Sequence, residues 1–516
     1  MRAKERERFI AQDEIGRTSG LSRRPTRLPI RRHMRQGGAG AALAPQSAPS
    51  ATQAVDRAGR RETSKNVVML MPYSPTAAPL TRMADGTVKQ ISPFTGTEVW
   101  TVPGRGNRPI SHPVAEVHPL TAQERTSACA FCPDRYLDTP PEKSRVVRRD
   151  SGGFEQLDSL PASRLFDTVA EFRRVPNLFE ILSYHYWHAN HGYEVPDAAR
   201  ERMEAYLADP AGAEHAATIA KTKLRASGAD PASWDQMSTA ARHHYLAAFF
   251  AGGHDVIVAR RHFTDGALDS SGLAGSGTLS VAEHRAYTRL AVNAMHDLYL
   301  ANRWVRYVAV FQNWLRPAGA SFDHLHKQLV GIDERGVNSE LELQRVRANP
   351  NLYNEMGVDY AAYRGLLVAS NEHAVAFSGF GHRYPTLEVY STSATAEPWR
   401  MSREEVDAVS DLLHALHAAT GTDVPCNEEW HHKPVDVDQP MPWHVTLKWR
   451  VSTLAGFEGG TKIYLNTIDP WTLRDRVVAR LEDLRADRLI APMAVGDECP
   501  MTPNRLLYNP VLTARP

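Results

Sequence analysis

Two histidines one residue apart are the residues of this sequence best placed to do chemistry. They lie in SFDHLHKQLVGI, residues 321–332, where His324 and His326 are followed by Gln328. Apolar residues on both sides predict a half-buried strand, and alternate residues of a strand share a face. These three side chains would therefore line one side of the strand. An imidazole placed there can hold a metal ion or attack a substrate.

A covalent role is open to either imidazole. An unprotonated ring nitrogen can attack phosphorus and leave again, which divides one transfer into two steps. The other ring nitrogen must then make a hydrogen bond that fixes the tautomer. An amide donor such as Gln328 would stabilise charge on the phosphoryl oxygens. The alternative is a pair of core histidines without a chemical role.

A second constellation is the C-x-x-C formed by Cys129 and Cys132 on a predicted loop. Two thiolates are half of a tetrahedral zinc site, which needs four nitrogen or sulfur ligands. The candidates for the other two ligands are His185, His188, His191 and His324. A redox pair is the alternative, although no βαβ pattern surrounds the motif as a thioredoxin-like site requires. Only 4 cysteines in 516 residues make no disulfide framework and indicate a reducing cytoplasm.

Two further groups of polar residues carry weaker signals. Arg105 and Arg108 lie on the Gly-rich turn PGRGNRP, which suits bidentate phosphate binding but is also typical of solvated surface. No Walker A sequence and no G-x-G-x-x-G after a strand occurs in the chain. The other group can be a second metal site or a set of surface polar residues with one core histidine. Its members are Glu429, His431, His432 and His444.

Composition and charge limit the classes of protein to which this chain can belong. A hydrophobic content of 42% and a charged content of 23% are typical of a soluble globular protein, and no apolar run is long enough to span a bilayer. Residues 1–65 carry 15 Lys and Arg against 6 Asp and Glu, so the remaining residues have a net charge of −8. The basic segment is rich in Ala, Gly, Ser and Pro and predicts a disordered tail. The acidic remainder argues against nucleic acid as the main partner.

The order of predicted elements indicates an α+β protein with two related units, each an antiparallel sheet with flanking helices. Strand pairs, a helix and a further strand occur twice, and capping boxes open the two helices at Ser280 and Ser402. Residues 177–197 predict a strand followed by a histidine-rich turn. The predicted divisions are a disordered basic tail at 1–82, a catalytic unit at 83–350 with a helical insertion near 200–278, a second unit at 371–490, and a C-terminal extension at 491–516.

Five motifs in the same order make the chain resemble galactose-1-phosphate uridylyltransferase and its relatives in the histidine-triad superfamily. The resemblance covers residues 88–196 and 280–485. The motifs are ISPFTGTEVWTVPGRGNRP, CAFCPDRYLDTPPE, HGYEVP, VFQNWLRPAGASFDHLHKQ and FEGGTKIYLNTIDPWTLRDRVVARL. It implies that His326 carries a nucleotidyl group and that His324 joins Cys129, Cys132 and His191 around a structural Zn²⁺.

The resemblance also implies the residues that contact substrate. Gln328, Ser321 and Asn313 would contact the transferred phosphate and its ester. Arg105 and Arg108 would bind the diphosphate, and Asn177 and Phe311 the nucleoside. Glu458 and Asn466 would face the sugar, often from the partner subunit of a homodimer. The implied ligands are a nucleotide sugar and a sugar 1-phosphate, with no nucleic acid and no membrane as partner.

Departures from the family pattern keep the substrate open. The family's H-P-H is H-L-H here, and the basic residue before the G-[FY]-E block is missing. For a second metal ion, His431 and His444 match, the next family histidine is Thr446, and Glu342 would supply a carboxylate by spacing. The implied reaction moves a nucleoside monophosphate, UMP as the first expectation, through His326. The alternatives are a phosphorylase or hydrolase of the same superfamily, or a non-catalytic zinc protein that binds nucleotides.

Overall fold

The computed structural model describes residues 78–104, 117–452 and 454–510. The predicted basic tail, apart from residues 78–82, lies outside these ranges, as do Arg105 and Arg108. Within the described ranges, no helix is both long enough and apolar enough to cross a membrane.

The described residues contain sixteen strands in two sheets. They are β1 (Leu80–Arg82), β2 (Val88–Ile91), β3 (Glu98–Thr101), β4 (Ser144–Arg148), β5 (Phe154–Asp158), β6 (Ala170–Pro176), β7 (His254–Ala259), β8 (Tyr307–Trp314), β9 (His326–Ile332), β10 (Leu367–Ser370), β11 (Ala374–Ser378), β12 (Thr386–Ser391), β13 (Cys426–His431), β14 (His444–Trp449), β15 (Ile463–Asn466) and β16 (Ala494–Val495). The larger sheet has 12 strands in the order β16-β10-β11-β12-β14-β13-β8-β9-β7-β6-β4-β5. The smaller sheet has 4 strands in the order β1-β2-β3-β15.

The two predicted units meet inside the larger sheet, and this confirms the α+β class. Strands β4 to β9 form one half, and β10 to β14 with β16 form the other. The halves join where β13 pairs antiparallel with β8, so that Asn427 faces Asn313 and Glu429 faces Phe311. An unpaired strand edge leaves its N–H and C=O groups without partners, and this pairing satisfies both inner edges at once. The units therefore share one continuous sheet.

Within the part of the chain that the structure describes, twelve α-helices accompany the sheets. They are α1 (Ala122–Ser127), α2 (Tyr184–His191), α3 (Asp197–Ala208), α4 (Pro210–Ala226), α5 (Ser233–Gln236), α6 (Thr239–Ala251), α7 (Val281–Ala301), α8 (Gly336–Ala348), α9 (Asp359–Tyr363), α10 (Arg403–Thr420), α11 (Gly456–Thr461) and α12 (Pro470–Ala486). The capping boxes predicted at Ser280 and Ser402 open α7 and α10. These two long helices pack on each other and bury their apolar stripes against the larger sheet.

Residues 200–278 contain the predicted helices, but they are not wholly an insertion. Helices α3, α4, α5 and α6 surround a small core of their own. The segment HDVIVA that follows is β7, a central strand of the larger sheet between β6 and β9. Residues 177–197 also differ from the prediction, because Ser183 caps helix α2 where a strand and turn were expected. Both differences change which histidines reach the site.

Side chains alternate between the two faces of the larger sheet. One face, here called the helix face, is covered by α7 and α10, and Lys327 and Glu428 point into it. The opposite face, here called the site face, carries His326 and Gln328 of β9 together with Phe311 and Asn313 of β8. Because the side-chain period of a strand is two, the register that buries Lys327 also fixes His326 on the site face.

Candidate active site and metal centre

His326 is the first residue of β9 and is only 5% exposed. Its Nδ1 lies 2.7 Å from the carbonyl oxygen of His324. Because a carbonyl oxygen can only accept, Nδ1 carries the proton and donates it to this bond. The lone pair therefore resides on Nε2, which is the nitrogen available for attack.

The surroundings of His326 keep its ring neutral. Burial lowers its pKa to about 4, against the hydrogen bond to His324, which favours the charged form. Phe131 covers the ring at a centroid distance of 5.3 Å and itself contacts Phe322 at 4.7 Å. A neutral imidazole at physiological pH is the form that can act as a nucleophile.

Gln328 is held by a residue that the motifs did not reveal. The backbone N–H of Ile181 donates to His254 Nδ1 at 3.2 Å, so the proton of His254 is on Nε2. That Nε2 donates to Gln328 Oε1 at 3.0 Å, and Asn177 Nδ2 reaches the same oxygen at 3.4 Å. With its oxygen engaged, Gln328 presents its amide N–H groups as donors. Burial lowers the pKa of His254 to about 4, which keeps this tautomer at neutral pH.

Replacing His254 should loosen Gln328 without touching the nucleophile. We expect His254→Leu to lower kcat about 10- to 100-fold, because a misplaced donor stabilises the phosphoryl charge poorly. His254→Asn, which restores a donor near Gln328 Oε1, should recover part of the rate. Steady-state kinetics on both variants and a metal assay check this expectation. Equal kcat for His254→Leu and the wild type would contradict it.

Four side chains from three segments meet beside the start of β9. Cys129, Cys132, His262 and His324 place one sulfur or nitrogen each within 4.8 Å of one another. His324 Nδ1 lies 3.4 Å from Cys129 Sγ and 3.8 Å from Cys132 Sγ, and the two sulfurs are 3.9 Å apart. His262 Nδ1 lies 3.7 Å from Cys132 Sγ. Zinc bonds of about 2.3 Å to sulfur and 2.0–2.1 Å to nitrogen require edges of this length in a tetrahedron.

The donor set fits a structural metal ion of the zinc type. His324 Nε2 donates to the Ala259 carbonyl at 2.6 Å, which leaves the Nδ1 lone pair directed at the sulfurs. Such a bond from the distal nitrogen is the usual support of a metal-bound imidazole. A hydrogen bond from Cys129 lowers the pKa of the Cys132 thiol, and His262 and His324 add to the effect. Two thiolates with two imidazoles form a closed site without a position for substrate.

His191, the fourth ligand that the resemblance implied, does not join this group. Its Nε2 lies 2.8 Å from Asp333 Oδ2, and its ring packs on Trp304 at 5.3 Å. The reason is the helical conformation of residues 184–191, which carries His191 toward the C-terminal end of β9. Asp333 is seven residues from His326, and seven residues of strand span about 23 Å. His262 takes the place instead, because it follows β7, whose Val258 stands opposite His326.

Removing one thiol should remove the metal. We expect Cys132→Ser to lower bound zinc from about one ion per chain to a small fraction, and to lower the unfolding temperature, because binding of a structural metal contributes directly to folding. The matched control is Cys426→Ser, a buried thiol on β13 outside the group. Elemental analysis and thermal unfolding measure the two effects. Full zinc content in Cys132→Ser would contradict the assignment.

The structure brings together only some of the residues predicted to contact substrate. Phe311 stands opposite Gln328, and Asn313 Oδ1 accepts from Asn427 Nδ2 at 2.7 Å. Ser321 is exposed in the loop between β8 and β9. Asn177 follows β6 and reaches Gln328, as described above.

Glu458 and Asn466 have structural partners within this chain. Glu458 Oε2 accepts from the Ala455 N–H at 3.1 Å at the start of α11. Asn466 Nδ2 donates to the carbonyl of His382 at 3.2 Å, and both side chains are buried. Their assignment to a sugar therefore stays a prediction.

Two of the three residues predicted to hold a second metal ion, His431 and His444, lie on the second unit, whereas Glu342 lies on α8. His431 and His444 face each other across β13 and β14, with ring centroids 4.8 Å apart. Glu342 is buried and accepts from the Tyr353 hydroxyl at 3.2 Å, and burial raises its pKa to about 7. Among the described residues, the cysteine group is the one set of three or more such side chains with ligand atoms within 4.8 Å of one another. A second metal ion stays a prediction.

Sequence reasoning missed His254 and His262, and the cause is shared. Both flank β7, which had been assigned to the insertion. The signal was present in the short apolar run VIVA (residues 256–259), which has the length and β-branched content of a buried strand. A histidine at or near each end of a strand that pairs with the H-x-H strand would have indicated that His254 and His262 reach the site.

The chain matches a known family over most of its length and a curated relative over part of it. The family model described as domain of unknown function (DUF4921) matches residues 83–508. The ADP-glucose phosphorylase of Arabidopsis thaliana is 24% identical over 208 residues, which are 38% of this chain and 56% of that protein. The chain thus aligns with little more than half the length of this curated relative.

A solved structure shows the same fold. The crystal structure of the Arabidopsis thaliana ADP-glucose phosphorylase with bound ADP-glucose has 16% sequence identity and a TM-score of 0.50, covering 76% of this chain and 97% of that one. A GalT-like protein from Arabidopsis thaliana has 16% identity and a TM-score of 0.47, covering 75% and 97%. The fold that the resemblance implied is therefore shared with the structure of this ADP-glucose phosphorylase.

Proposed function

Because this chain belongs to the family described as domain of unknown function (DUF4921), whose description names no reaction, we propose a function from the site itself. The protein is a nucleotidyltransferase that moves a nucleoside monophosphate from a nucleotide sugar to a phosphate acceptor. The group is carried on Nε2 of His326 between two half-reactions. The observation that supports this proposal most directly is the bond between His326 Nδ1 and the His324 carbonyl at 2.7 Å.

The first half-reaction follows from this geometry. Nε2 of His326 attacks the α-phosphorus of the donor, and the bond from that phosphorus to the bridging oxygen breaks. The sugar 1-phosphate leaves with the electron pair. The ring then carries phosphorus on Nε2 and a proton on Nδ1, so it is cationic. The His324 carbonyl, which already accepts from Nδ1, stabilises this charge without any proton transfer.

The second half-reaction reverses the first with a new oxygen. A phosphate oxygen of the acceptor attacks the same phosphorus, the P–N bond breaks, and neutral His326 is restored. Amide N–H groups of Gln328 donate to the phosphoryl oxygens in both steps, since His254 holds the amide oxygen away from them. A zinc ion held by Cys129, Cys132, His262 and His324 would fix the strand beneath the nucleophile.

Two acceptors define two versions of the reaction. A sugar 1-phosphate acceptor gives the exchange that the uridylyltransferase resemblance implies, with UMP as the group and a homodimer that completes the sugar site. Inorganic phosphate as acceptor gives a nucleotide-sugar phosphorylase, and the ADP-glucose phosphorylase among the relatives favours this version. Both versions use the same intermediate on His326.

Product analysis separates the candidates. The protein is incubated with UDP-glucose or ADP-glucose, each with galactose 1-phosphate, with orthophosphate or with buffer alone, and the phosphorus species are followed by ³¹P NMR. A new nucleotide sugar indicates a transferase, a nucleoside diphosphate indicates a phosphorylase, and a nucleoside monophosphate indicates a hydrolase. A protein that binds these donors and converts none of them would contradict the proposal and favour the non-catalytic alternative.

A further inference from the structure

Two arginines on the second unit carry charges that no carboxylate balances. Arg450 follows the last residue of β14, and Arg383 precedes β12. Within the described ranges, neither guanidinium forms an ion pair with Asp or Glu. The neighbouring Lys448 is different, because its ammonium lies 2.5 Å from Glu429 Oε2.

Both guanidinium groups contact one phenol ring. The Cζ of Arg450 lies 4.6 Å from the ring centroid of Tyr384, and the Cζ of Arg383 lies 5.4 Å from it. Each cation is attracted to the face of the ring, but this contact does not neutralise its charge. An anion within reach of both guanidinium groups would be attracted by two positive charges.

Hydrogen bonds connect Arg450 to the strands that carry the nucleophile. Arg450 Nη1 donates to Asn427 Oδ1 at 2.7 Å, and Asn427 Nδ2 donates to Asn313 Oδ1 at 2.7 Å. The pairing of β8 with β9 places Asn313 beside His326 on the site face. Two inter-strand spacings of about 4.8 Å separate β9 from β13, so the Asn427 backbone is about 10 Å from that of His326. A phosphate group next to the transferred phosphorus would lie between His326 and the side chain of Arg450.

One nitrogen of Arg450 lacks the partner that its burial demands. The Nε atom is buried, and no acceptor among the described residues bonds to it. A buried guanidinium nitrogen without an acceptor is costly, and the edge of the guanidinium that contains Nε can bind two oxygens of a phosphate side by side. A phosphate oxygen would supply the missing acceptor.

Resting on the function proposed above, we infer that Arg450 and Arg383 form the subsite for the phosphate monoester dianion that enters or leaves beside His326. The dianion is the sugar 1-phosphate released from the donor, or the acceptor phosphate that replaces it. In the first half-reaction the two arginines take up the charge that develops on the leaving phosphate. Asn427 is a positioning residue, since its side chain accepts from the guanidinium of Arg450 and donates to Asn313.

Equilibrium binding tests the subsite without any nucleotidyl transfer. Orthophosphate and glucose 1-phosphate are titrated separately into the wild type and into Arg450→Met, with heat of binding as the signal. We expect Arg450→Met to weaken binding of both anions at least about 10-fold, the loss typical of a charged hydrogen bond. Arg450→Lys, which keeps the charge but not the fork, should lie between the two. Tighter binding of glucose 1-phosphate than of orthophosphate would show that the sugar adds contacts to the same subsite.

The matched control is Arg505→Met. Arg505 also has a buried guanidinium nitrogen, Nη1, without an acceptor among the described residues. Its Nη2 donates to the carbonyl of Asn371 beside β10, at the other end of the sheet. Its replacement should leave anion affinity unchanged. Wild-type affinity in Arg450→Met, or no binding of either anion to the wild type at millimolar concentration, would overturn the inference. If Arg450→Met does not fold, the anion affinities of Arg383→Met and Arg450→Lys are compared with that of the wild type instead, and wild-type affinity in both would overturn the inference. Failure of His326 to form an adduct would leave this result standing.

Discussion

Replacing His326 with alanine should abolish turnover while leaving the protein folded and its metal in place. We expect kcat to fall at least about 10⁴-fold, because both half-reactions pass through the bond between Nε2 and phosphorus. Among the described residues, the imidazole that alanine removes bonds to the backbone carbonyl of His324 and packs on Phe131. The imidazole of the metal ligand His324 faces the two sulfurs and is left in place. Initial rates with the donor identified by product analysis measure the effect.

Metal content and thermal unfolding serve as controls for this variant. The zinc content of His326→Ala should equal that of the wild type, since His324 Nδ1 and not His326 faces the sulfurs. A fall in both activity and zinc would indicate general damage to the site. Retention of a tenth or more of the wild-type rate would rule out His326 as the nucleophile.

Replacing Lys327 with methionine should destabilise the protein by about 3–5 kcal/mol, which is the usual cost of leaving one partner of a buried ion pair alone. Lys327 and Glu428 are both fully buried and form an ion pair across β8, so this contact joins the two units beneath the nucleophile. Glu428 also accepts from His417 Nε2 at 2.8 Å and from Trp430 Nε1 at 2.5 Å. Burial raises the pKa of Glu428, but Lys327 and His417 outweigh it, and the carboxylate stays ionised.

Denaturant unfolding measures this loss, with two comparisons. The double variant Lys327→Met with Glu428→Gln should be more stable than the single variant, because no buried charge is left without a partner. The control Lys221→Met removes a surface ion pair with Asp235. The side chains of Lys221 and Asp235 are 37% and 64% exposed, so this variant should change the free energy of unfolding very little. A single variant as stable as the wild type would show that the pair does not hold the two units together.

The part of the site that lies close in sequence could be predicted. The alternation of His326 and Gln328 predicted that both side chains lie on one face of a strand, and the structure has this strand as β9, which begins at His326. His324 lies just before this strand. Capping residues predicted the starts of α7 and α10 for the same reason, since a cap acts within one helical turn. Cys129 and Cys132 likewise meet across a short loop.

Contacts between distant segments were harder to predict. The choice between His191 and His262 depended on whether residues 184–191 form a helix and whether residues 254–259 join the sheet. Four apolar residues, 256–259, do not determine which strand about 70 residues away they pair with. The fusion of the two units through β8 and β13 carries no local signal either. The contact between Arg450 and Asn427 exists only because these strands are neighbours.

The mass of the intact protein after incubation with nucleotide sugars tests the central claim most directly. The wild type is mixed with UDP-glucose or ADP-glucose without acceptor and kept alkaline, because a bond between phosphorus and histidine is labile in acid. We predict a gain of one nucleoside monophosphate with one of the donors, its loss when the acceptor is added, and no gain in His326→Ala. An adduct of the same mass in His326→Ala, or turnover of a donor by the wild type without any adduct, would contradict the account.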